Sequence, residues 1–96
     1  MFQPLDPLLH SELRLAVVSL LMSVDEADFT YIKEQTGATS GNLSVQIEKL
    51  ETAGYIRVEK GFRGKMPRTT CQITPAGQEA FRGYVNALQE YLSSGK

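Results

Sequence analysis

Apolar residues recur at helical spacing near the start of the chain. One face of this segment is formed at steps of three and four residues by Leu9, Leu13, Ala16, Val17 and Leu20. A second face is formed by Leu8, Leu15, Val18 and Leu21. The pattern predicts a helix over residues 8–22, with Asp6 as the N-cap and Pro7 at the first helical position. A helix that is apolar on two faces lies at the centre of its domain or buries one face against a partner.

A short helix is predicted after a polar connection at residues 23–28. Thr30 has the side chain of an N-cap and precedes a helix over residues 31–35. Thr36 and Gly37 end this helix, because glycine readily adopts the left-handed conformation found at helix exits.

A longer helix follows within a few residues, across a tight turn. Thr39 or Ser40 caps it, and it runs to about Ala53, where Gly54 stops it. One stripe of this helix is apolar and is predicted to be buried, namely Leu43, Ile47 and Leu50. The residues that point furthest from this stripe are Gly41, Val45, Glu48 and Thr52.

The apolar period changes from about 3.6 residues to 2 at Tyr55. Residues 55–60 alternate, with Ile56 and Val58 inward, and are predicted to form a strand. Residues 61–67 contain two glycines and a proline and are predicted to be a flexible loop. The β-branched residues of 69–74 then predict the returning strand of a hairpin.

A last helix begins at Thr74-Pro75, with the same type of start as Asp6-Pro7. Its apolar residues lie close to a heptad seam, which is typical of a helix that packs along another helix. They are Phe81, Tyr84, Val85, Leu88, Tyr91 and Leu92.

The length of 96 residues predicts one domain over residues 1–96, and 42% apolar with 22% charged residues is typical of a folded protein. A chain this short buries only about 60–65% of its unfolded surface, so dimer formation would help to stabilise it. The apolar run over residues 15–22 is shorter than the ~20 residues of a membrane span, and the start of the chain is unlike a signal peptide. We therefore expect a cytoplasmic protein with no membrane partner.

Catalytic and metal chemistry is not predicted. The chain has one cysteine, Cys71, and one histidine, His10, which argues against a disulfide framework, a structural zinc site and a Cys/His nucleophile pair. The glycine pair of residues 61–64 joins two strands, so it lacks the helix N-terminus of a phosphate loop. We expect no enzyme activity, no cofactor and no metal site, and we expect Cys71 to be a buried, inert thiol.

The charge is unevenly distributed although the net charge is −1. Residues 1–29 carry five acids and one base, whereas residues 30–75 carry seven bases and four acids. The segment from Arg57 to Arg68 alone has five bases and one acid. Such a patch is the surface that a polyanion would bind, or it is an ordinary solvated loop.

The predicted order is helix, short helix, turn, helix, hairpin, helix, which places a helix-turn-helix beside a basic wing. The chain resembles the winged-helix transcriptional regulators of the MarR and ArsR type, in their compact single-domain branch. The resemblance spans about residues 5–92 and is carried by residues 13–16, 41–44, 50–56, 67–70 and 73–77. It implies an α+β, mostly α fold, a winged helix-turn-helix with a two-stranded hairpin, whose first and last helices form a dimer.

The predicted partner is double-stranded DNA, with the helix of residues 40–53 in the major groove and the hairpin of residues 60–68 on the minor groove or phosphates. Asn42 is predicted to pair with adenine and Val45 to touch a thymine methyl. The predicted contacts on the helix are Ser40, Gly41, Asn42, Ser44, Val45, Gln46 and Lys49. Those on the hairpin are Lys60, Arg63, Lys65 and Arg68, with Arg63 in the minor groove.

Several side chains have more than one interpretation. Arg68 either holds a phosphate or locks the hairpin against the third helix. Phe62 either packs under the hairpin or wedges between base steps. Arg14 is expected to be a structural residue paired with Glu51, and His10 is expected near the dimer contact.

The predicted dimer contacts are Leu8, Leu9, Tyr84, Val85, Leu88, Tyr91 and Leu92. The alternative function is a winged-helix module that binds protein without DNA, which the net charge and Glu48 on the exposed helix face favour. The sequence leaves open the DNA site, the regulated genes, the sign of regulation, and whether a small-molecule effector or oxidation of Cys71 controls binding.

Overall fold

The computed structural model describes residues 2–94, so the first and the last two residues of the predicted domain lie outside it. The described part contains four helices and one three-stranded antiparallel sheet. In chain order these are α1 (Glu12–Met22), β1 (Ala27–Asp28), α2 (Phe29–Thr36), α3 (Ser40–Thr52), β2 (Ile56–Arg63), β3 (Met66–Ile73) and α4 (Pro75–Ser93). The predicted fold class is confirmed.

The first helix begins later than the sequence predicts. The Asp6 carboxylate accepts from the Leu8 amide at 2.9 Å, and the Asp6 carbonyl accepts from the His10 amide at 2.9 Å. These bonds close one turn, but the chain is extended at Ser11, with φ −152° and ψ 128°, so α1 begins at Glu12. The capping signal at Asp6-Pro7 is real, and it closes an isolated turn rather than a helix.

The helix-turn-helix pair is α2 and α3. Asp28, not Thr30, caps α2, since its carboxylate accepts from the Tyr31 amide at 2.8 Å. Gly37 ends α2 with φ 71°, and the Thr39 hydroxyl caps α3 by accepting from the Asn42 amide. These contacts give the predicted tight turn between the two helices.

The predicted stripe of α3 is confirmed, because Leu43, Ile47 and Leu50 are all buried. They join one core with the side chains of α1, α2 and the sheet. The fully buried members with the largest side chains are Leu9, Leu21, Ile32, Leu43 and Leu50, with Val17, Val18 and Cys71. The stripe therefore fixes the rotation of α3 and leaves its opposite face outward.

The hairpin is longer and more regular than predicted. Strands β2 and β3 stay paired from Ile56↔Ile73 to Arg63↔Met66, so only Gly64 and Lys65 form the turn. The expected loop over residues 61–67 is therefore wrong. Gly64 has φ 64°, the conformation required at the first position of a type II′ turn.

A two-residue strand, β1, was not predicted. Ala27 pairs with Cys71 and Asp28 with Thr70, which gives the strand order β1-β3-β2. Residues 66–69 of β3, before Thr70, have no neighbour on this side among the described strands. Pro67 lies in this part, where a missing N–H costs no ladder bond on the open edge.

Helix α4 is attached to the turn between α3 and β2. The Thr74 amide donates to the Tyr55 carbonyl at 3.0 Å, and the Thr74 hydroxyl donates to the Gly54 carbonyl at 2.6 Å. The same hydroxyl accepts from the Gly77 amide at 3.0 Å, which makes Thr74 the predicted N-cap. One side chain thus joins the start of α4 to the end of α3.

Candidate nucleic-acid interface

The outer face of α3 is free of contacts with the core. Its residues Gly41, Asn42, Ser44, Val45, Glu48 and Lys49 are all exposed. Val45 is the apolar member, with 51% of its surface accessible. An exposed helix of this width fits the major groove of B-DNA, which is about 12 Å across. The predicted division of α3 into an inner and an outer face is therefore confirmed.

The hairpin projects from the core as a separate feature. Every residue from Glu59 to Pro67 is exposed, although all but the turn are in paired strands. The described molecule measures 55 × 25 × 21 Å. The outer half of the hairpin is therefore held by its backbone pairing and offers its side chains to solvent.

The pleat of the hairpin sends its basic side chains to two faces. Lys60 lies on the face towards α3, where it lines a groove of about 320 Å³ together with Ser44 and Glu48. Arg63 lies on the other face, where it lines a depression with Tyr31 of α2. Positions two residues apart share a face of a strand, and neighbours do not. The sequence predicted the basic residues but not this separation.

Phe62 does not pack under the hairpin, contrary to one of the two expectations for it. Its side chain is 76% exposed, and Met66 on the opposite strand is 70% exposed. The strand register explains the exposure of Phe62. Phe62 pairs with Pro67 and lies beyond the last core residues of β2.

Arg68 holds the hairpin to the start of α2. Its Nε lies 3.6 Å from Oδ2 of Asp28, whose Oδ1 caps α2. The expected lock between Arg68 and the third helix is therefore wrong, because the partner belongs to β1 and α2. With 40% of its side chain exposed, Arg68 keeps surface that faces solvent.

Arg14 does not pair with Glu51, so the expected contact between these two residues is wrong. Its Nε donates to the Leu8 carbonyl at 2.6 Å, and its Nη1 donates to Oε1 of Gln46 at 2.5 Å. Gln46 in turn donates from Nε2 to Oδ1 of Asn42 at 3.0 Å. Gln46, one of the predicted DNA contacts, is half-buried and bonded to both Arg14 and Asn42. Sequence alone gives no signal for a contact between residues 32 positions apart.

The predicted dimer residues fall into three groups. Leu9 is fully buried and Tyr84 is 6% exposed, so both side chains belong to the core of their own chain. Tyr91 and Leu92, at the end of α4, are 41% and 71% exposed. The remaining three are half-buried: Leu8, Val85 and Leu88.

An aromatic contact that the sequence did not indicate enlarges the exposed end of α4. Phe2 stacks on Tyr91 with ring centroids 4.5 Å apart, and 52% of Phe2 is exposed. Nearer the start of α4, Nδ1 of His10 lies 3.0 Å from the Tyr84 hydroxyl. The N-terminal segment therefore runs along α4 and adds apolar surface to it.

Cys71 is buried in β3, as predicted. Burial raises the pKa of its thiol to about 11, with a smaller contribution from the negative charge of Glu51. A thiol is a nucleophile and a metal ligand only as thiolate, so Cys71 is unsuited to either role near neutral pH. In residues 2–94, no three His, Cys, Asp or Glu side chains are grouped to hold a metal ion. No helix in that range is long and apolar enough to cross a bilayer.

The sequence matches the winged helix DNA-binding domain family over residues 13–92. The chain belongs to this family. It is 32% identical over 76 residues to the uncharacterized protein MJ0432 of Methanocaldococcus jannaschii, covering 79% of this chain and 83% of that protein.

Solved winged-helix structures agree with this assignment. A transcriptional regulator homologue from Pyrococcus horikoshii OT3 superimposes with a TM-score of 0.84 at 28% identity, over 91% of this chain and 86% of that one. A MarR family regulator from Silicibacter pomeroyi shares the fold, with a TM-score of 0.69 at 18% identity, over 86% of this chain and 55% of that one. The resemblance to winged-helix transcriptional regulators is confirmed, and the family assignment supports a DNA-binding regulator.

Proposed function

We propose that the protein is a dimeric, sequence-specific DNA-binding transcriptional regulator. In this proposal α3 enters the major groove, and the hairpin lies on the adjacent minor groove and phosphates. The observation that carries it is the exposure of the outer face of α3 beside a projecting hairpin with five basic residues, at positions 57, 60, 63, 65 and 68. Binding of this kind to double-stranded DNA needs a helix that fits the major groove and a basic hairpin beside it.

The contacts on α3 divide by position along the helix. Ser40, Gly41 and Asn42 are at its N-terminal end, where helix-turn-helix proteins reach base edges. Val45 presents exposed apolar surface that matches a thymine methyl. Further along α3, Ser44 and Lys49 complete the exposed set and are suited to base or phosphate oxygens.

The hairpin contributes electrostatic binding. Arg63 and Lys65 flank the turn glycine, and Lys60 lies nearer to α3. A guanidinium at the tip of a narrow hairpin is suited to the strong negative potential of the minor groove. Arg68 keeps 40% of its side chain exposed beside Asp28, although its Nε is buried, and this exposed part is suited to a neighbouring phosphate.

The dimer is proposed to form through the end of α4 and the N-terminal segment. Phe2, Tyr91 and Leu92 are exposed apolar residues at one end of the molecule, and Val85 and Leu88 are half-buried along the same helix. We leave Leu9 and Tyr84 out of this contact because their own core covers them. A twofold dimer would place two copies of α3 in successive major grooves about 34 Å apart.

The proposal is tested by selecting bound duplexes from random DNA and measuring affinity for the selected site at several salt concentrations. If six to ten phosphates are contacted, affinity is expected to fall by about 10³–10⁵ between 50 and 200 mM salt. The selected site should contain two inverted half-sites. A protein that enriches no sequence, or whose binding is insensitive to salt, contradicts the proposal.

A protein-binding module is the second candidate, because two carboxylates lie beside the proposed DNA face. Glu48 and Glu51 line the groove between α3 and the hairpin and would repel phosphates placed there. Partners that remain bound after nuclease treatment of the complex, together with no enrichment in the DNA selection, would favour this alternative.

A further inference from the structure

A chain of three hydrogen bonds runs from the N-terminal segment to the outer face of α3. It starts at the Leu8 carbonyl, passes through the guanidinium of Arg14 and the amide of Gln46, and ends at Oδ1 of Asn42. The donor–acceptor distances are 2.6, 2.5 and 3.0 Å. Arg14 and Gln46 are half-buried, while Asn42 is exposed. The chain thus links the interior of the domain to a residue proposed to read DNA.

The chemistry of Arg14 sets the direction of every bond in this chain. A guanidinium has only N–H donors, so Gln46 must turn its oxygen Oε1 towards Arg14. The Gln46 nitrogen Nε2 then points to Asn42 and donates, so Asn42 must turn its oxygen Oδ1 towards Gln46. The amide nitrogen Nδ2 of Asn42 is consequently on the side away from Gln46, with its two hydrogens available.

We propose that Arg14 and Gln46 are positioning residues that make Asn42 present hydrogen-bond donors to the DNA and so select guanine. This inference rests on the proposed function, with α3 in the major groove. Guanine presents two acceptors there, N7 and O6, whereas adenine presents one acceptor and one donor, thymine presents one acceptor and cytosine presents a donor. Asparagine alone favours adenine, because a free amide pairs with both of its groups. The orientation imposed by Arg14 changes that preference.

The proposal predicts that one substitution reverses the preference. In Gln46→Glu the carboxylate can only accept, so one oxygen keeps the contact with Arg14 and the other accepts from Nδ2 of Asn42. Asn42 must then turn Oδ1 outward and accept from the DNA. The bases that donate in the major groove are cytosine and adenine. The variant adds an ion pair with Arg14 in place of a neutral hydrogen bond, so the fold is expected to be retained.

The experiment is selection of bound duplexes from random DNA by the full chain and by four variants. Asn42→Ala identifies the base pair that Asn42 reads, as the position where preference is lost. At this position the native chain is expected to favour guanine by about three- to tenfold, the range that one net hydrogen bond supports. Gln46→Glu is expected to favour cytosine or adenine there, and Arg14→Met is expected to relax the preference. The control Gln35→Glu adds the same charge on α2 and should leave the preference unchanged.

The outcomes separate this inference from the function on which it rests. A native chain that enriches no sequence overturns the proposed function itself. A native chain that enriches a site, with the same base selected by Gln46→Glu at the Asn42 position, overturns the positioning role. So does an Asn42→Ala variant that selects the native site unchanged. The added negative charge weakens binding to all duplexes equally, so a loss of affinity without a change of base also counts against the proposal.

Discussion

At the scale of single residues, the environment of Cys71 determines what its thiol can do. It is fully buried in β3, opposite Val58 on one side and Ala27 on the other. Burial first, and the charge of Glu51 second, raise its pKa to about 11. A buried thiol with so little thiolate at neutral pH reacts slowly.

We therefore expect the folded protein to resist thiol-specific modification at pH 8. The measurement is the rate of reaction with an aromatic disulfide reagent, first in buffer and then in denaturant. Modification in buffer is expected only at the rate at which the chain opens, and rapidly after unfolding. Equal rates in both conditions would contradict the burial of Cys71.

Alkaline pH is expected to destabilise the fold through two residues. The pKa of Cys71 is raised from 9.0 to about 11, and that of Tyr55 from 10.0 to about 12 by its hydrogen bond to Asp6, then by burial and by the Asp6 charge. The unfolded chain therefore releases these protons before the folded chain does. The free energy of unfolding should fall as pH rises from about 9, because the unfolded state then binds fewer protons.

Denaturant unfolding at pH 8 and at pH 10.5 measures this loss. Cys71→Ala and Tyr55→Phe are each expected to lose less stability between the two pH values than the native chain, whatever their stability at pH 8. If both variants show the native dependence on pH, other groups cause it.

At the scale of the elements, the junction between α4 and the α3–β2 turn depends on a glycine. A Cβ on Gly77 would collide with the Tyr55 carbonyl and press on the Ile73 side chain. Gly77→Ala is expected to destabilise the fold by about 2–4 kcal/mol, at or above the usual cost of overpacking, because backbone cannot yield as a flexible side chain does.

Gly83→Ala is the matched control for this junction. Gly83 lies on α4 as well, but a Cβ there meets open space. The change is expected to stabilise the helix by about 0.5–1 kcal/mol through the lower entropy cost of alanine. Denaturant unfolding of both variants provides the test, and equal effects would show that α4 approaches the turn less closely than described.

The hairpin should contribute affinity without reading sequence. Arg63→Ala is expected to weaken binding to most duplexes alike and to lower the salt slope by about 1, because one cation close to the DNA is lost and fewer counterions are released. Arg82→Ala removes the same charge from α4, where Arg82 forms only an exposed pair with Glu79, and should leave binding unchanged. Affinity measured across salt concentrations tests this, and a loss confined to one sequence would assign Arg63 to base readout instead.

The elements were largely predictable where local chemistry determines them. The caps at Thr39 and Thr74 and the left-handed Gly37 are read from a few adjacent residues, and the structure has all three. The end of the hairpin was not predictable from the sequence. Gly61 and Pro67 normally indicate a loop, yet both residues lie in paired strands. Strand β1 was missed because two residues have no pattern, and its pairing with β3 depends on a distant part of the chain.

The candidate site was predictable to the same extent. Periodicity gave the exposed face of α3, and charge gave the basic hairpin. Periodicity and charge could not predict the contacts of Arg14 with Gln46 and of Arg68 with Asp28. Each contact joins segments more than 30 residues apart. A side chain with several nearby acceptors gives no sequence signal for the one it chooses.

At the scale of the whole molecule, the end of α4 determines the proposed assembly. Leu92 is 71% exposed and directly follows Tyr91, the residue on which Phe2 stacks. Leu92→Glu is expected to shift the protein from dimer to monomer, because a charge buried in an apolar contact is costly. Sedimentation of the native chain and the variant over a range of concentrations provides the measurement.

Val24→Glu is the control for this substitution, because Val24 is also exposed but lies in the connection between α1 and β1. Its oligomeric state should match that of the native chain. A native chain that sediments as a monomer at every concentration would contradict the proposed dimer.

The attachment of α4 through Thr74 and Gly77 also limits the operators that such a dimer can use. Because these contacts join α4 to the end of α3, the two copies of α3 in the proposed dimer are expected to keep a fixed separation and angle. Five base pairs added between the half-sites rotate one of them by about half a helical turn, to the opposite side of the duplex. A rigid dimer cannot bind both half-sites in that arrangement. The length of the spacer between the half-sites should therefore be restricted as strictly as the half-site sequence.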